Sequence, residues 1–180
     1  MIHLVLGGAR SGKSRFAEAQ VKQLLVKPQD NVDSECFYLA TAQALDSEMA
    51  QRINHHQTQR QTDEINWRTI ECPLELTTAL KAHATESSII LVDCLTLWLT
   101  NRLLKPEDDW QQVKTAFLQT LTELPGSVIL VSNEVGCGIV PLGELNRRFV
   151  DEAGWLHQEI AAIADRVTLV TAGLSQCLKG

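Results

Sequence analysis

The stretch GGARSGKS, Gly7 to Ser14, constrains this chain more than any other. It fits G-x-x-x-x-G-K-[ST] and lies between an apolar run, IHLVL (2–6), and an amphipathic one, SRFAEAQVKQLL. A phosphate cradle requires that order: a strand, a tight loop, then a helix. Gly7, Gly8 and Gly12 let the loop between Ala9, Arg10 and Ser11 curl so that backbone N–H groups point inward. The helix adds its positive N-terminal dipole. Lys13 would contact the β- and γ-phosphates, and Ser14 would ligate Mg²⁺. By ordinary residue frequencies such a match arises by chance on the order of 1% of the time, so the motif is read as a nucleoside triphosphate site.

Alternating patterns set the fold around this loop. CFYLAT (36–41), SIILVD (88–93), SVILVS (127–132) and RVTLVTA (166–172) are further apolar, β-rich runs, and WRTIE (67–71) is a weaker one. Nearly uniform apolarity suits strands covered on both faces, as in a parallel sheet. Helical patterns fall at 12–26, 46–60, 73–84, 95–104, 109–123 and 151–164, with Pro73 suited to a first turn and Asp46 and Asp109 to N-caps. The reading is one α/β domain over residues 1–180, an open, mostly parallel sheet with helices on both faces and right-handed crossovers. The polar stretch 26–35 reads as an exposed loop.

The 180 residues are enough to bury a core, at 44% hydrophobic. A net charge of −6 argues against nucleic acid or an anionic membrane as partner. The most apolar window, SIILVDCLTLWLTNRLL, is interrupted by Asp93, Asn101 and Arg102, too short and too broken for a membrane span. Cys36, Cys72, Cys94, Cys137 and Cys177 are scattered singly, without a C-x-x-C pair. They read as small buried hydrophobes, and with no secretory signal apparent the expected location is the reducing cytoplasm. Trp67, Trp98, Trp110 and Trp155 read as core or interface packing.

Three further features carry candidate chemistry. Asp93 ends an apolar strand, the position of a Walker-B carboxylate that holds Mg²⁺; the alternative is a cap on the helix that begins at Cys94, and the P-loop favours the magnesium or nucleotide role. RINHHQTQR (52–60) holds two of the chain's five histidines. On the helix 46–60, Leu45, Met49 and Ile53 share one face; His56 falls on its flank, and His55 on the opposite side with Glu48, Gln51, Arg52 and Gln59. A neutral imidazole there could attack phosphorus with Arg52 and Arg60 nearby, or the pair could lie on a solvated face. VSNEVGCGIVP (131–141), with Asn133, Glu134, Gly136 and Gly138, follows a strand and reads as either a ligand loop or a connecting turn.

In combination LVLGGARSGKSRFAEAQ, YLATAQALDSEMAQRINHHQTQR, WRTIECPLEL, LVDCLTLWLTN and VSNEVGCGIVP span nearly the whole chain. Together they closely resemble the bifunctional adenosylcobinamide kinase/adenosylcobinamide-phosphate guanylyltransferases of cobalamin biosynthesis. The resemblance implies a P-loop, RecA-like fold and a homotrimer with active sites near subunit boundaries. It implies that ATP or GTP phosphorylates adenosylcobinamide, and that GMP passes from GTP through a guanylylated histidine to adenosylcobinamide phosphate. It puts the guanylyl carrier on His55. It puts nucleotide contacts on the P-loop, on Leu39, Ala40 and Thr41, on His56, Gln57, Thr58 and Gln59, and on Glu71 and Asp93. The stretch LLVKPQDNVDSE looks longer than the family's pattern. Competing readings are the guanylyl transfer alone, another small-molecule P-loop kinase, and a nucleotide-gated switch.

Overall fold

The computed structural model describes residues 1–26, 34–43, 47, 51, 54, 58, 64–105, 107 and 109–180. Its strands are β1 (Ile2–Gly7), β2 (Cys36–Ala40), β3 (Trp67–Glu71), β4 (Ile89–Asp93), β5 (Ser127–Asn133), β6 (Arg166–Thr171) and β7 (Leu174–Lys179). The described helices are α1 (Lys13–Val26), α2 (Leu76–His83), α3 (Leu95–Leu103), α4 (Trp110–Glu123) and α5 (Glu144–Ile163). All strands join one sheet in the order β3-β2-β4-β5-β1-β6-β7, parallel except for β7. The expected mostly parallel α/β sheet is what forms.

Strand alternation divides the core in two. Leu4, Leu39, Ile90, Val92 and Leu130 face α2, α3, α4 and α5, where Trp98 sits 4.7 Å from Phe117 and 5.4 Å from Trp110 between ring centroids. Val5, Tyr38, Leu91, Ile129 and Val131 face the other way, onto Ala17 and Val21 of α1. The indole N–H groups also have partners: Trp98 donates to the Leu74 carbonyl at 2.9 Å and Trp110 to Glu152 at 2.7 Å. Trp67 meets Tyr38 edge-on, whereas Trp155 is half exposed on α5.

Some boundaries differ from the sequence expectations. Asp109 does cap α4, its carboxylate accepting from the Gln111 and Gln112 N–H groups. Pro73 does not enter a helix: α2 starts at Leu76, and the Pro73 carbonyl instead accepts from Asn101. Asp93 caps nothing, because the residue before α3 is Cys94 and the Asp93 carboxylate takes the Tyr38 hydroxyl at 2.9 Å. Helix α5 begins at Glu144 rather than 151, with an exposed first turn that shows no apolar period, and Arg147 reaches back to the Pro141 and Leu142 carbonyls. Cys36, Cys72 and Cys94 are buried as expected, but Cys137 and Cys177 are exposed on a loop and an edge strand. Strand β7 was absent from the sequence reading. Asp46 and most of 26–35 lie outside the described residues. Ser47, Gln51, Asn54 and Thr58, the described positions within 46–60, are helical and exposed. Among the described residues no helix is long and apolar enough to cross a membrane.

His3 is buried in β1 with Nε2 2.9 Å from the Thr168 hydroxyl, and burial, aided by Arg166, holds its pKa down at about 4. Folding therefore favours the neutral ring. The stability this contributes is complete above the unfolded value near 6.5 and is lost as pH falls towards the folded value. Between about pH 7.5 and about pH 5 the loss should be about 2 kcal/mol. Urea unfolding at both pH values should show His3→Gln losing less than wild type by that amount; equal losses would rule His3 out as the source.

Candidate active site

The glycine loop is built by close packing at its first residue. Gly7 ends β1, and a Cβ there would lie 2.4 Å from the Ser11 hydroxyl and 2.5 Å from the Val170 carbonyl. Its own carbonyl accepts from Glu134 N at 3.0 Å. Arg10 and Gly12 take left-handed φ values of 55° and 94°, which turn the loop into α1. Lys13 opens α1 with its ammonium folded onto the Gly8 carbonyl at 3.2 Å, and Ser14 follows. The hairpin turn at Ala172 and Gly173, both with positive φ, braces the loop from below: Gly173 N donates to the Ser11 carbonyl at 2.8 Å. The sequence reading missed this brace; its one signal is the Ala-Gly pair after an apolar run.

The parallel register brings the other predicted positions to the same edge. Ala40 is opposite both Glu71 and Asp93, and Asp93 is opposite Val131. Counting by twos from Trp67, Tyr38 and Leu91, which pack on the α1 side, puts the side chains of Glu71, Ala40 and Asp93 on that same face. Ala40 is small, so the carboxylates of Glu71 and Asp93 flank a gap roughly 10 Å wide, two strand spacings. Leu39 points to the opposite face and is fully buried, leaving only its backbone at the edge. Thr41 is also buried. Its hydroxyl donates to the Cys94 carbonyl at 2.7 Å and accepts from Cys94 N at 2.8 Å, while its carbonyl accepts from Asn101 at 2.9 Å. This lock joins the ends of β2 and β4; the sequence reading names Thr41 only as a nucleotide contact, and names neither Asn101 nor Tyr38 for a site role. Thr58 is exposed, and its hydroxyl donates to the Asn54 carbonyl at 2.9 Å. His55, His56, Gln57 and Gln59 lie outside the described residues.

The buried Cys94 thiol is pushed up to about 11 by burial and by Asp93, with Thr96, the Leu97 backbone and Lys13 pulling the other way. Lys13 and Asp93 thus both act on one sulfur. Asp93 Oδ2 is engaged by Tyr38, and among the described residues nothing occupies Oδ1. Ser14 and Asp93 are hard oxygen donors, the type Mg²⁺ takes alongside water and phosphate oxygens. Among the described residues no group of three or more His, Cys, Asp and Glu could hold a metal ion. On the far face, Ser132 and His157 Nε2 lie 2.7 Å apart and His157 Nδ1 lies 3.9 Å from Glu134. Burial lowers the His157 pKa, opposed by Glu134.

A mostly parallel sheet with a glycine loop after its interior strand β1, a lysine and serine opening the next helix, and an acidic strand end two strands away, defines a P-loop NTPase-like α/β protein. The sequence profile described as CobU, cobinamide kinase / cobinamide phosphate guanyltransferase, matches residues 3–178. The chain is 53% identical over 185 residues to the bifunctional adenosylcobalamin biosynthesis protein CobP of Pseudomonas aeruginosa, covering all of this chain and 98% of that one. It is 40% identical over 193 residues to the bifunctional adenosylcobalamin biosynthesis protein CobU of Escherichia coli and 41% to that of Salmonella typhimurium, covering 99% of this chain and 100% of each relative. The chain belongs to the cobinamide kinase / cobinamide phosphate guanyltransferase family and is a transferase of cobalamin biosynthesis.

Because a Cβ at Gly7 meets backbone as well as the Ser11 side chain, Gly7→Ala should destabilise the fold by about 1–3 kcal/mol. A thermal melt should fall by about 5 °C. An unchanged melting temperature would mean that the loop relaxes around the methyl group.

Proposed function

We propose that residues 1–180 form one cytoplasmic P-loop transferase domain, working as a homotrimer, that performs two successive transfers at the carboxyl edge of its sheet. In the first, ATP or GTP phosphorylates the hydroxyl of the aminopropanol arm of adenosylcobinamide. In the second, His55 attacks the α-phosphorus of GTP, pyrophosphate leaves, and the corrinoid phosphate then takes GMP from the histidine to give adenosyl-GDP-cobinamide. The observation that carries this reading is the common face of Lys13's helix, Asp93 and Glu71, which sets two carboxylates beside the glycine loop.

The roles follow from the chemistry of each group. Gly7, Gly8, Ala9, Arg10, Ser11 and Gly12 present backbone N–H groups to the phosphates, with the α1 dipole behind them. Lys13 breaks its contact with the Gly8 carbonyl and neutralises charge on the transferring phosphoryl group. Ser14 and Asp93 would hold Mg²⁺, which would supply positive charge to offset that of the phosphates. Tyr38 fixes the Asp93 carboxylate in orientation. Thr41, with the backbone of Leu39 and Ala40, shapes the floor between Asp93 and Glu71. His56, Gln57, Thr58 and Gln59 complete the nucleotide site around His55, in keeping with the R-I-x-H-H pattern. The covalent step lets one nucleotide site serve both transfers without holding two large substrates together.

GTP radiolabelled at the α-phosphate, with Mg²⁺, should label the wild-type protein through an acid-labile, alkali-stable bond. His55→Ala should take up no label, and Lys13→Ala should label about 10²-fold more slowly. ATP labelled at the γ-phosphate should pass its label to adenosylcobinamide. Labelling of His55→Ala at the wild-type level would displace His55 as the carrier. Transfer of γ-label alone would leave an ordinary small-molecule kinase.

A further inference from the structure

Asn133 ends β5, the strand between the P-loop strand β1 and the Asp93 strand β4. It is opposite Gly7 in the ladder. Ile129 and Val131, four and two residues earlier, pack on the α1 face, so the Asn133 side chain leaves the sheet on that face too. Asp93, opposite Val131, projects on the same side one pleat repeat lower, about 7 Å away along the strand. Asn133 is thus the side chain that stands between Lys13's loop and Asp93.

Its carbonyl oxygen, Oδ1, is buried and has no hydrogen-bond partner among the described residues. Its neighbours are engaged: Ser132 meets His157 at 2.7 Å on the far face, and the Glu134 carboxylate accepts from Gly136 N at 2.6 Å. An unmet buried acceptor is costly unless a ligand brings the donor. Phosphate oxygens cannot serve, because they are acceptors themselves. Donors at a phosphate edge include the Lys13 ammonium, the water of a hydrated cation and the attacking hydroxyl of a substrate, and only the last arrives with the reaction itself.

We propose that Asn133 is a catalytic residue of the phosphoryl-transfer step, its Oδ1 accepting a hydrogen bond from the hydroxyl that attacks the terminal phosphoryl group in the P-loop. The inference rests on the kinase half of the proposed function. The hydroxyl oxygen forms the new P–O bond as the bond from phosphorus to the bridging oxygen breaks, and that electron pair leaves with the nucleoside diphosphate. The hydroxyl proton passes to a non-bridging oxygen of the transferred phosphoryl group. The amide is too weakly basic to take it, so Asn133 acts by aligning the attacking lone pair.

The test uses the full chain with adenosylcobinamide, Mg²⁺ and nucleotide. Asn133→Ala should lower kcat for phosphoryl transfer by about 10²-fold while the nucleotide KM moves less than about threefold. Its uptake of α-label from GTP should fall far less than its phosphoryl transfer. Asn133→Asp keeps an acceptor oxygen and should recover about tenfold over the alanine variant. An unchanged kcat in Asn133→Ala, or a fall in kcat together with lost nucleotide binding and a lower Tm, overturns the proposal. Equal losses in both transfers with a raised Mg²⁺ requirement overturn it as well, since the donor is then the cation's water. If wild type binds nucleotide but transfers no phosphoryl group, the kinase reading itself falls, an outcome distinct from failure of the variant alone.

Discussion

The pairing of β1 with β5 decides what stands beside what at the active edge. Gly7 is opposite Asn133, and its carbonyl takes the Glu134 N–H, so the start of the phosphate loop is bonded to the start of the glycine loop 134–143. The absence of a side chain at Gly7 lets the Ser11 hydroxyl and the Val170 carbonyl close around it. From there the other strands extend outward in fixed register, and Asp93, Ala40 and Glu71 line up without any loop having to place them. A site built on strand ends inherits the rigidity of the ladder.

Alternation then separates stability from chemistry. Adjacent residues at the end of β5 leave in opposite directions: Ser132 meets buried His157 beneath α5, and Asn133 leaves on the α1 face. The same holds for Leu39 and Ala40, one sealed in the core and the other a small residue at the edge. At these strand ends, substitutions on the α5 face would therefore act through packing, and those on the α1 face through the candidate site.

Much of this was legible because the physics is local. The phosphate loop is a contiguous motif whose flanking strand and helix are visible in hydrophobic period alone, and Asp109 announces its cap by position. Strands sealed on both faces betray themselves by unbroken apolarity. β7 does not: it lies at the edge, all its residues are exposed, and pairing with β6 through a two-residue turn leaves no hydrophobic signal. The first turns of α5 were missed for the same reason, since Glu144 to Arg148 are exposed and rest on backbone contacts with the preceding loop. Cys137 and Cys177 show that a residue type's usual burial gives way where the chain lies on a loop or an edge.

The candidate site divides along a different line. Asp93 could be suspected from the sequence, but the choice between cap and ligand-facing carboxylate depends on Tyr38, 55 positions away, which takes one oxygen. Likewise the Thr41–Cys94–Asn101 lock joins three segments that no spacing rule connects. Such contacts follow from strand order, and strand order follows from crossovers that the sequence states only as a class. The lock also stiffens the rim between Asp93 and Ala40, because the backbone at Cys94 is bonded on both its N–H and its carbonyl to one hydroxyl. One buried threonine thus ties two strand ends together.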